Sequence, residues 1–310
     1  MRSVTEKLPS LSVIIPTKNR QSDLERTVKS VLRQSVLANQ LVVVDQSDTN
    51  AGHARLQAQI SGAALDGRVE LLYIHNPAIS GGAAARNRAL EIAGCEVCLF
   101  LDDDVELETD FVEQLLQVYG DHAEAGGVSG VITNYAAPRW PHRAWRAIFA
   151  RGPFHDERQW IYWNSGRLRN SPPIPVRKFG GGLMSFRAEI IRSLRFDENL
   201  QGVSDGEDID FCMRVKKGTL LLMNPRARLA HLHSSSGRLA DHWLRRTVRG
   251  NHYLYWRHWN NGLRNRACFF WLTGGYLLLA ALGCARRASL EPWDAMWTGM
   301  KEARQAARGR

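Results

Sequence analysis

The sequence predicts an α/β protein built on a doubly wound, mostly parallel sheet, followed by a basic, aromatic helical C-terminal extension. Three observations carry this. Short, unbroken apolar runs alternate with helical periodicities through residues 11–133. Acidic residues stand at or just beyond the ends of those runs, where α/β sheets bind their ligands. The charge is lopsided: residues 1–237 hold 28 Lys/Arg against 27 Asp/Glu, while residues 238–310 hold 13 against 4.

Leu11 to Thr17 (LSVIIPT) is continuously apolar, as expected of a strand covered on both faces. Ser22 and Glu25 have capping-box spacing, and Leu24, Val28, Val31 and Leu32 follow at helical intervals. Leu41 to Asp45 (LVVVD) gives the second strand and Val69 to Ile74 the third. Gly81 to Ala93 reads as a helix closed by Gly94, and Val97 to Leu101 (VCLFL) as a fourth buried strand. A helix from Asp110 to Tyr119 and a strand from Val128 to Thr133 complete the alternation.

Residues 134–178 break this rhythm. They are rich in Pro, Arg and Trp and have little periodicity, so they read as an insertion over the sheet edge, either part of a substrate site or a structural loop. Strand signal resumes at Phe179 to Arg187, and helical signal at Asp208 to Lys216 and Arg238 to Trp259. Residues 267–285 (ACFFWLTGGYLLLAALGCA) carry no charge and are flanked by Arg264, Arg266, Arg286 and Arg287. A span, an interfacial helix and a buried core helix all fit. Six of the ten Trp residues lie beyond residue 237, which favours contact with a lipid surface over nucleic acid. The domain reading is therefore 1–237 for the sheet and 238–310 for a basic, membrane-associating region.

Several classes are excluded by the same residues. Five cysteines do not make a disulfide framework, and the Cys95–Cys98 CxxC has no second pair to complete a zinc site. These thiols read as small core residues in a reducing compartment. MRSVTEKLPS lacks an apolar signal core, so the sheet domain is expected in the cytoplasm. The first turn, PTKNR, has neither GxGxxG nor GxxxxGK[ST], which argues against a dinucleotide site and a P-loop.

Asp102, Asp103 and Asp104 end the fourth apolar run. On an extended backbone, Asp102 and Asp104 share one side. Packed carboxylates repel unless a cation neutralises them, and hard oxygen donors suit Mg²⁺ or Mn²⁺. The alternative is a set of solvated acids complementing the next helix dipole. Asp45 and the Glu207–Asp208 pair are the other acidic signals.

LSVIIPTKNR, LVVVDQSD, GGAAARNRAL, CLFLDDDVEL, GGLMSFR and GEDIDFCMRV occur in the order and spacing of family 2 glycosyltransferases with the GT-A fold, a resemblance covering residues 10–235. The resemblance implies a nucleotide-sugar-binding and catalytic domain of the kind that builds bacterial cell-surface polysaccharide. It implies that Pro16, Thr17 and Arg20 line the nucleotide pocket and that Asp45 meets the base. Gln46 stands where the family often has a second acid. Arg86 would reach the donor near its phosphates, and Asp103 the ribose or donor sugar. Asp102 and Asp104 would hold the metal, joined by His231, with His233 a competitor on the same side of a strand. Asp208 would be the catalytic base, Glu207 would orient the acceptor, and Gly180–Gly182 would let the acceptor approach the backbone.

The expected reaction is inverting transfer of a hexosyl or deoxyhexosyl group from a UDP-, dTDP- or GDP-linked sugar. The acceptor would be a hydroxyl of a polysaccharide or lipid-linked saccharide at the inner face of the plasma membrane. Two rivals fit less well. A sugar-phosphate nucleotidyltransferase needs a glycine-rich phosphate loop that PTKNR does not supply. A non-catalytic nucleic-acid-binding module has no use for clustered carboxylates, which repel phosphates.

Overall fold

Unbroken apolar runs become the buried centre of the sheet because helices cover both of its faces. β1 (Leu11–Thr17) leads into α1 (Gln21–Val31), β2 (Gln40–Asp45), α2 (Gly52–Gly62), β3 (Glu70–His75), α3 (Gly82–Leu90) and β4 (Val97–Leu101). These four strands run parallel in the order β3-β2-β1-β4. The computed structural model describes residues 8–308 except 64, 66, 200–205 and 234–242.

After β4 come β5 (Val105–Leu107), α4 (Phe111–Asp121), β6 (Ala125–Ile132), α5 (Trp140–Phe149), α6 (Glu157–Trp163) and β7 (Ile174–Pro175). β8 (Leu183–Arg187), α7 (Ala188–Ile191), α8 (Glu207–Arg214) and β9 (Leu220–His231) complete a nine-stranded mixed sheet. β8 joins antiparallel to β4 and β6, β6 pairs parallel with β9, and β5 and β7 flank β9 antiparallel. The mostly parallel α/β fold class therefore holds. α9 (Trp243–Leu254), α10 (Leu263–Arg287) and α11 (Glu291–Arg308) form the helical C-terminal region, with one π turn over 255–259.

Several expectations are corrected. Arg20, not Ser22, caps α1 and makes no side-chain capping bond, so the Ser22/Glu25 capping box does not form. Glu25 instead accepts from Gln21 and Arg55. α3 ends at Leu90, short of Ala93. Phe179–Gly182 precede β8 and do not extend it. α2, β5, β7, the body of β9 before His231 and α11 are additions to the sequence reading. The insertion contains α5, α6 and the short strand β7, and the start of the Arg238–Trp259 helix, residues 238–242, lies outside the described residues. Of the CxxC pair, Cys98 is buried and Cys95 is partly exposed.

Two apolar cores result. One fills the space between the sheet and its helices. The other gathers Leu244, Val248, Tyr253, Leu272, Tyr276 and Met296 from α9–α11, and it also takes Phe154, Trp145 and Phe149 from the insertion. The insertion and the C-terminal helices are thereby packed as one layer. It abuts the sheet's acidic edge, because Gly206, directly before α8, lies against Gly250 and Leu254 of α9.

Candidate active site

Strand register brings the acidic residues together. Leu101 pairs with Leu183 across β4 and β8, so Asp102 and Gly182 sit side by side just beyond the ladder. A Cβ on Gly182 would fall 2.3 Å from Asp102 Oδ2, so only glycine leaves that carboxylate its place. Val105 pairs with His231 across β5 and β9, which carries Asp104 to the end of β9.

His231 Nε2 lies 2.8 Å from Asp104 Oδ1 and 3.8 Å from Asp102 Oδ2. One donor atom from each of Asp102, Asp104 and His231 falls within 4.8 Å of the others. Two carboxylates and an imidazole suit Mg²⁺ or Mn²⁺, so the residues present fit a divalent cation. Asn134 fixes the histidine's backbone: its side chain accepts from His231 N at 3.0 Å and donates to His231 O at 2.8 Å. His233 lies past the end of β9, exposed, with φ of +49°, and stacks against the rings of both His231 and Tyr135.

Asp103 turns the other way. It accepts from Thr17 Oγ1 at 2.7 Å and Arg20 Nη1 at 2.8 Å and is almost completely buried. Burial pushes its carboxyl up to about 6, against the downward pull of Thr17 and Arg20. Thr27 braces this turn from α1, with its hydroxyl 2.8 Å from the carbonyls of both Asp103 and Val105 while it accepts from Val105 N.

Asp45 ends β2 fully buried, with Ser47 N donating to one oxygen at 2.8 Å and the Tyr73 hydroxyl donating to the other. Pro16 and Thr17 pair with Val44 and Asp45, which puts all four at the carboxyl ends of β1 and β2. Gln46 is buried beside them and its Oε1 has no hydrogen-bond partner among the described residues.

The Glu207–Asp208 pair opens α8. Gly206 takes φ of +115°, a conformation that favours glycine, and so starts the helix with both acids in its first turn. Glu207 is 3% exposed and paired with Arg86 Nη1. Its carboxyl is pushed up by burial to about 7, with Arg86 pulling the other way. Asp208 Oδ2 accepts from Gly181 N at 2.8 Å.

Arg86 joins the two acidic groups. Its Nη2 is 3.1 Å from Asp102 Oδ1, and its guanidinium lies 5.7 Å from the Phe196 ring centroid. Burial disfavours its charge, but Glu207 and Asp102 outweigh that and hold its pKa raised.

Asp102, His231, Arg86, Glu207 and Asp208 all line one cleft of about 1500 Å³. Pro16, Thr17, Arg20 and Asp45 lie outside its lining, on the β1–β2 side. The insertion supplies side chains that sequence reasoning missed. Arg158 is gripped by Asp156 at two points, both 2.9 Å, and reaches to 3.7 Å from Asp208. The Tyr162 hydroxyl is buried in the cleft wall without a hydrogen-bond partner among the described residues. No local spacing marks either residue, and the only available signal was the basic, aromatic composition of 134–178.

Residues 12–194 match the glycosyl transferase family 2 sequence profile. TuaG of Bacillus subtilis (strain 168), a glycosyltransferase named for teichuronic acid biosynthesis, is 33% identical over 127 residues, covering 41% of this chain and 48% of its own length. WcaA of Escherichia coli (strain K12), named for colanic acid biosynthesis, is 39% identical over 98 residues, covering 32% of this chain and 33% of its own. The aligned region thus spans half or less of these curated relatives.

Among solved structures, the mannosyltransferase PcManGT from Pyrobaculum calidifontis in complex with GDP-Man and Mn²⁺ aligns with a TM-score of 0.56 at 17% identity, over 97% of this chain and 86% of that one. S. aureus TarS 1–349 in complex with UDP-GlcNAc gives 0.57 at 15% identity, over 96% and 81%. These likenesses establish the GT-A fold. With the family profile matching more than half of its length, the chain belongs to glycosyl transferase family 2.

Proposed function

We propose that the chain is an inverting glycosyltransferase that moves a hexosyl or deoxyhexosyl group from a nucleotide-diphosphate sugar to an acceptor hydroxyl. The acceptor is a polysaccharide or lipid-linked saccharide presented at the inner face of the membrane. One observation carries this reading: carboxylates from distant parts of the sequence, Asp102 and the Glu207–Asp208 pair, line one cleft and are tied together through Arg86.

Asp102, Asp104 and His231 would hold Mg²⁺ or Mn²⁺, which when bound neutralises charge on the donor diphosphate. Pro16, Thr17, Arg20 and Asp45 form the nucleotide side of the site, and a UDP, dTDP or GDP donor fits this assignment. Asp103 and Arg86 serve that side through the residues they hold: Asp103 fixes Thr17 and Arg20, and Arg86 keeps Asp102 and Glu207 in register. Asp208 is the base. The Gly181 N–H and Arg158 aim it, so it can take the proton from the acceptor hydroxyl as that oxygen attacks the anomeric carbon. A single displacement inverts that centre. Glu207, buried against Arg86, orients the acceptor. The named activities of TuaG and WcaA, and the donors bound by PcManGT and TarS, support this class of reaction.

The test is donor turnover. Purified protein is incubated with UDP-, dTDP- and GDP-sugars, with Mn²⁺ and with EDTA, and release of nucleoside diphosphate is measured. At least one donor should be turned over with Mn²⁺ and spared with EDTA. Equal release with and without EDTA would remove the metal from the mechanism, and release from no donor would defeat the reading.

A further inference from the structure

Asp208 rides on a helix too short to hold itself. α8 has eight residues, about two turns, and a helix of that length is marginal in water without tertiary support. On its cleft side, Asp208 meets Gly181 N and Glu207 meets Arg86. The support on its other side is a further acid. At about 100° per residue, Asp210 stands about 200° round the helix from Asp208, and it is 0% exposed.

Arg214, one turn on, fills Asp210 Oδ2 with N–H bonds of 2.9 and 2.6 Å. Oδ1 goes to the C-terminal region: His258 Nε2 lies 2.8 Å away, Tyr253 Oη 3.4 Å and Arg257 Nε 3.5 Å. Burial alone would raise the Asp210 carboxyl, but His258 and Arg214 outweigh it and hold it below its ordinary value. An ionised carboxylate only accepts, so His258 Nε2 is the donor.

His258 reaches Asp210 through a break in helical winding. Tyr253 and His258 are five residues apart, and in an unbroken α-helix they would diverge by about 140°. The π turn over 255–259 widens the winding to i→i+5, and both side chains reach one carboxylate. Neighbours fix that turn from two sides. Tyr255 stacks on Phe269 of α10 with ring centroids 3.6 Å apart, and Trp259 packs edge-on against Phe154 of the insertion. Tyr253 donates to Asp197 Oδ2 at 2.7 Å as well. Charge balance does not need the imidazole, because Arg214 and Arg257 already face the Asp210 carboxylate. What His258 adds is direction.

We propose that His258 is a positioning residue for transfer: by holding Asp210 from behind, it sets the roll of α8 and thereby the aim of Asp208 into the cleft. The tolerance is small, since misplacing a reacting group by about 1 Å can cost about 10²-fold in rate. His258 lies beyond the residues 12–194 that match the family profile, so this support comes from the C-terminal region. Its effect on rate rests on the glycosyl-transfer reading; the hold on α8 does not.

The test compares two variants of the full chain. His258→Leu removes the N–H, and His258→Gln offers an amide N–H in its place. The readouts are nucleoside diphosphate release from the donor that the Mn²⁺ screen identifies, and amide hydrogen exchange of a peptide spanning residues 207–214. His258→Leu should lower kcat about tenfold, the scale of one hydrogen bond to a charged group. Donor KM should stay within about twofold, because the donor side is built on β1, β2 and β4. Exchange across α8 should quicken about tenfold while that of α1 and α4 stays as in the parent. His258→Gln should recover both readouts. Unfolding midpoints within about two degrees of the parent qualify each variant, and His258→Met replaces His258→Leu if that fails. Parental kcat or parental α8 exchange in His258→Leu would overturn the proposal. So would failure of His258→Gln to recover, or a fall in kcat matched by a rise in donor KM, which marks general damage. A parent protein that turns over no nucleotide sugar would defeat the transfer reading, and exchange would then judge the hold on α8 by itself.

Discussion

Asp208 and Glu207 are adjacent in the chain yet placed for different work. Asp208 accepts backbone N–H bonds from Gly181 and Ile209 at the cleft, whereas Glu207, on the same cleft, is more deeply buried and paired with Arg86. Asp208→Asn keeps the shape and the bond from Gly181 while removing the basicity. It should lower kcat by about 10²–10⁴-fold and leave donor affinity within about twofold, measured by steady-state kinetics and by calorimetry with a non-transferable donor. Near-normal turnover would take Asp208 out of the mechanism. Glu207→Ala is a stability prediction instead. It strips a buried arginine of its closest counter-charge, so it should cost about 3 kcal/mol, read by urea unfolding at constant m-value. A loss below about 1 kcal/mol would mean that Asp102 alone compensates Arg86.

Elements bring these residues together through register, and one glycine shows how little tolerance the register leaves. Gly182 faces Asp102 at the β4–β8 edge, where an alanine Cβ would lie 2.3 Å from the carboxylate oxygen. Gly182→Ala should swing Asp102 away and weaken Mn²⁺-dependent donor binding at least about tenfold, a shift of about 1.4 kcal/mol, while metal-free nucleotide binding persists. Equal losses with and without Mn²⁺ would point to general damage. The same elements separate what the sequence makes legible from what it hides. β1, β2 and β4 are readable because strands buried on both faces are written as unbroken apolar runs, and their terminal acids follow directly. α2 is hidden because GHARLQAQISG buries only Gly52, Leu56 and Ile60, too few for a periodic stripe. β9 is hidden by Pro225 and two arginines, which suit it only because its pairing with β6 shifts register around that proline. Asp102, Asp104 and His231 are readable through family resemblance, but Arg158 and Tyr162 reach the cleft only through the tertiary placement of α6, which no local pattern encodes.

At the scale of the molecule, the charge split between the sheet and the last quarter of the chain meets a surface of matching character. α10 has the length and apolarity of a membrane span, with a mean hydropathy of 1.7, but only 28% of that window is buried. One side of it packs on α9, α11 and α5, as a core helix would, and Gly275 admits the Phe149 ring so closely that no side chain would fit. The other side exposes Phe270, Trp271, Leu278 and Leu282 beside Ile148 of α5, with Arg264, Arg266, Arg286 and Arg287 at its ends. A helix half committed to a protein core and half apolar to solvent suits an interfacial position better than a span. Removing the C-terminal region would be a poor test, because it would also strip the insertion of its packing partners. Point changes on the outer face avoid this. Leu278→Ser and Leu282→Ser should each reduce co-sedimentation with vesicles containing anionic lipid by about tenfold, in line with about 1.5 kcal/mol for an inserted leucine. Raising the salt should weaken binding of the parent protein and both variants alike, since the arginines are untouched. Binding that ignored these leucines but vanished in salt would leave only electrostatic attraction, and the apolar stripe would then have to serve something other than a bilayer.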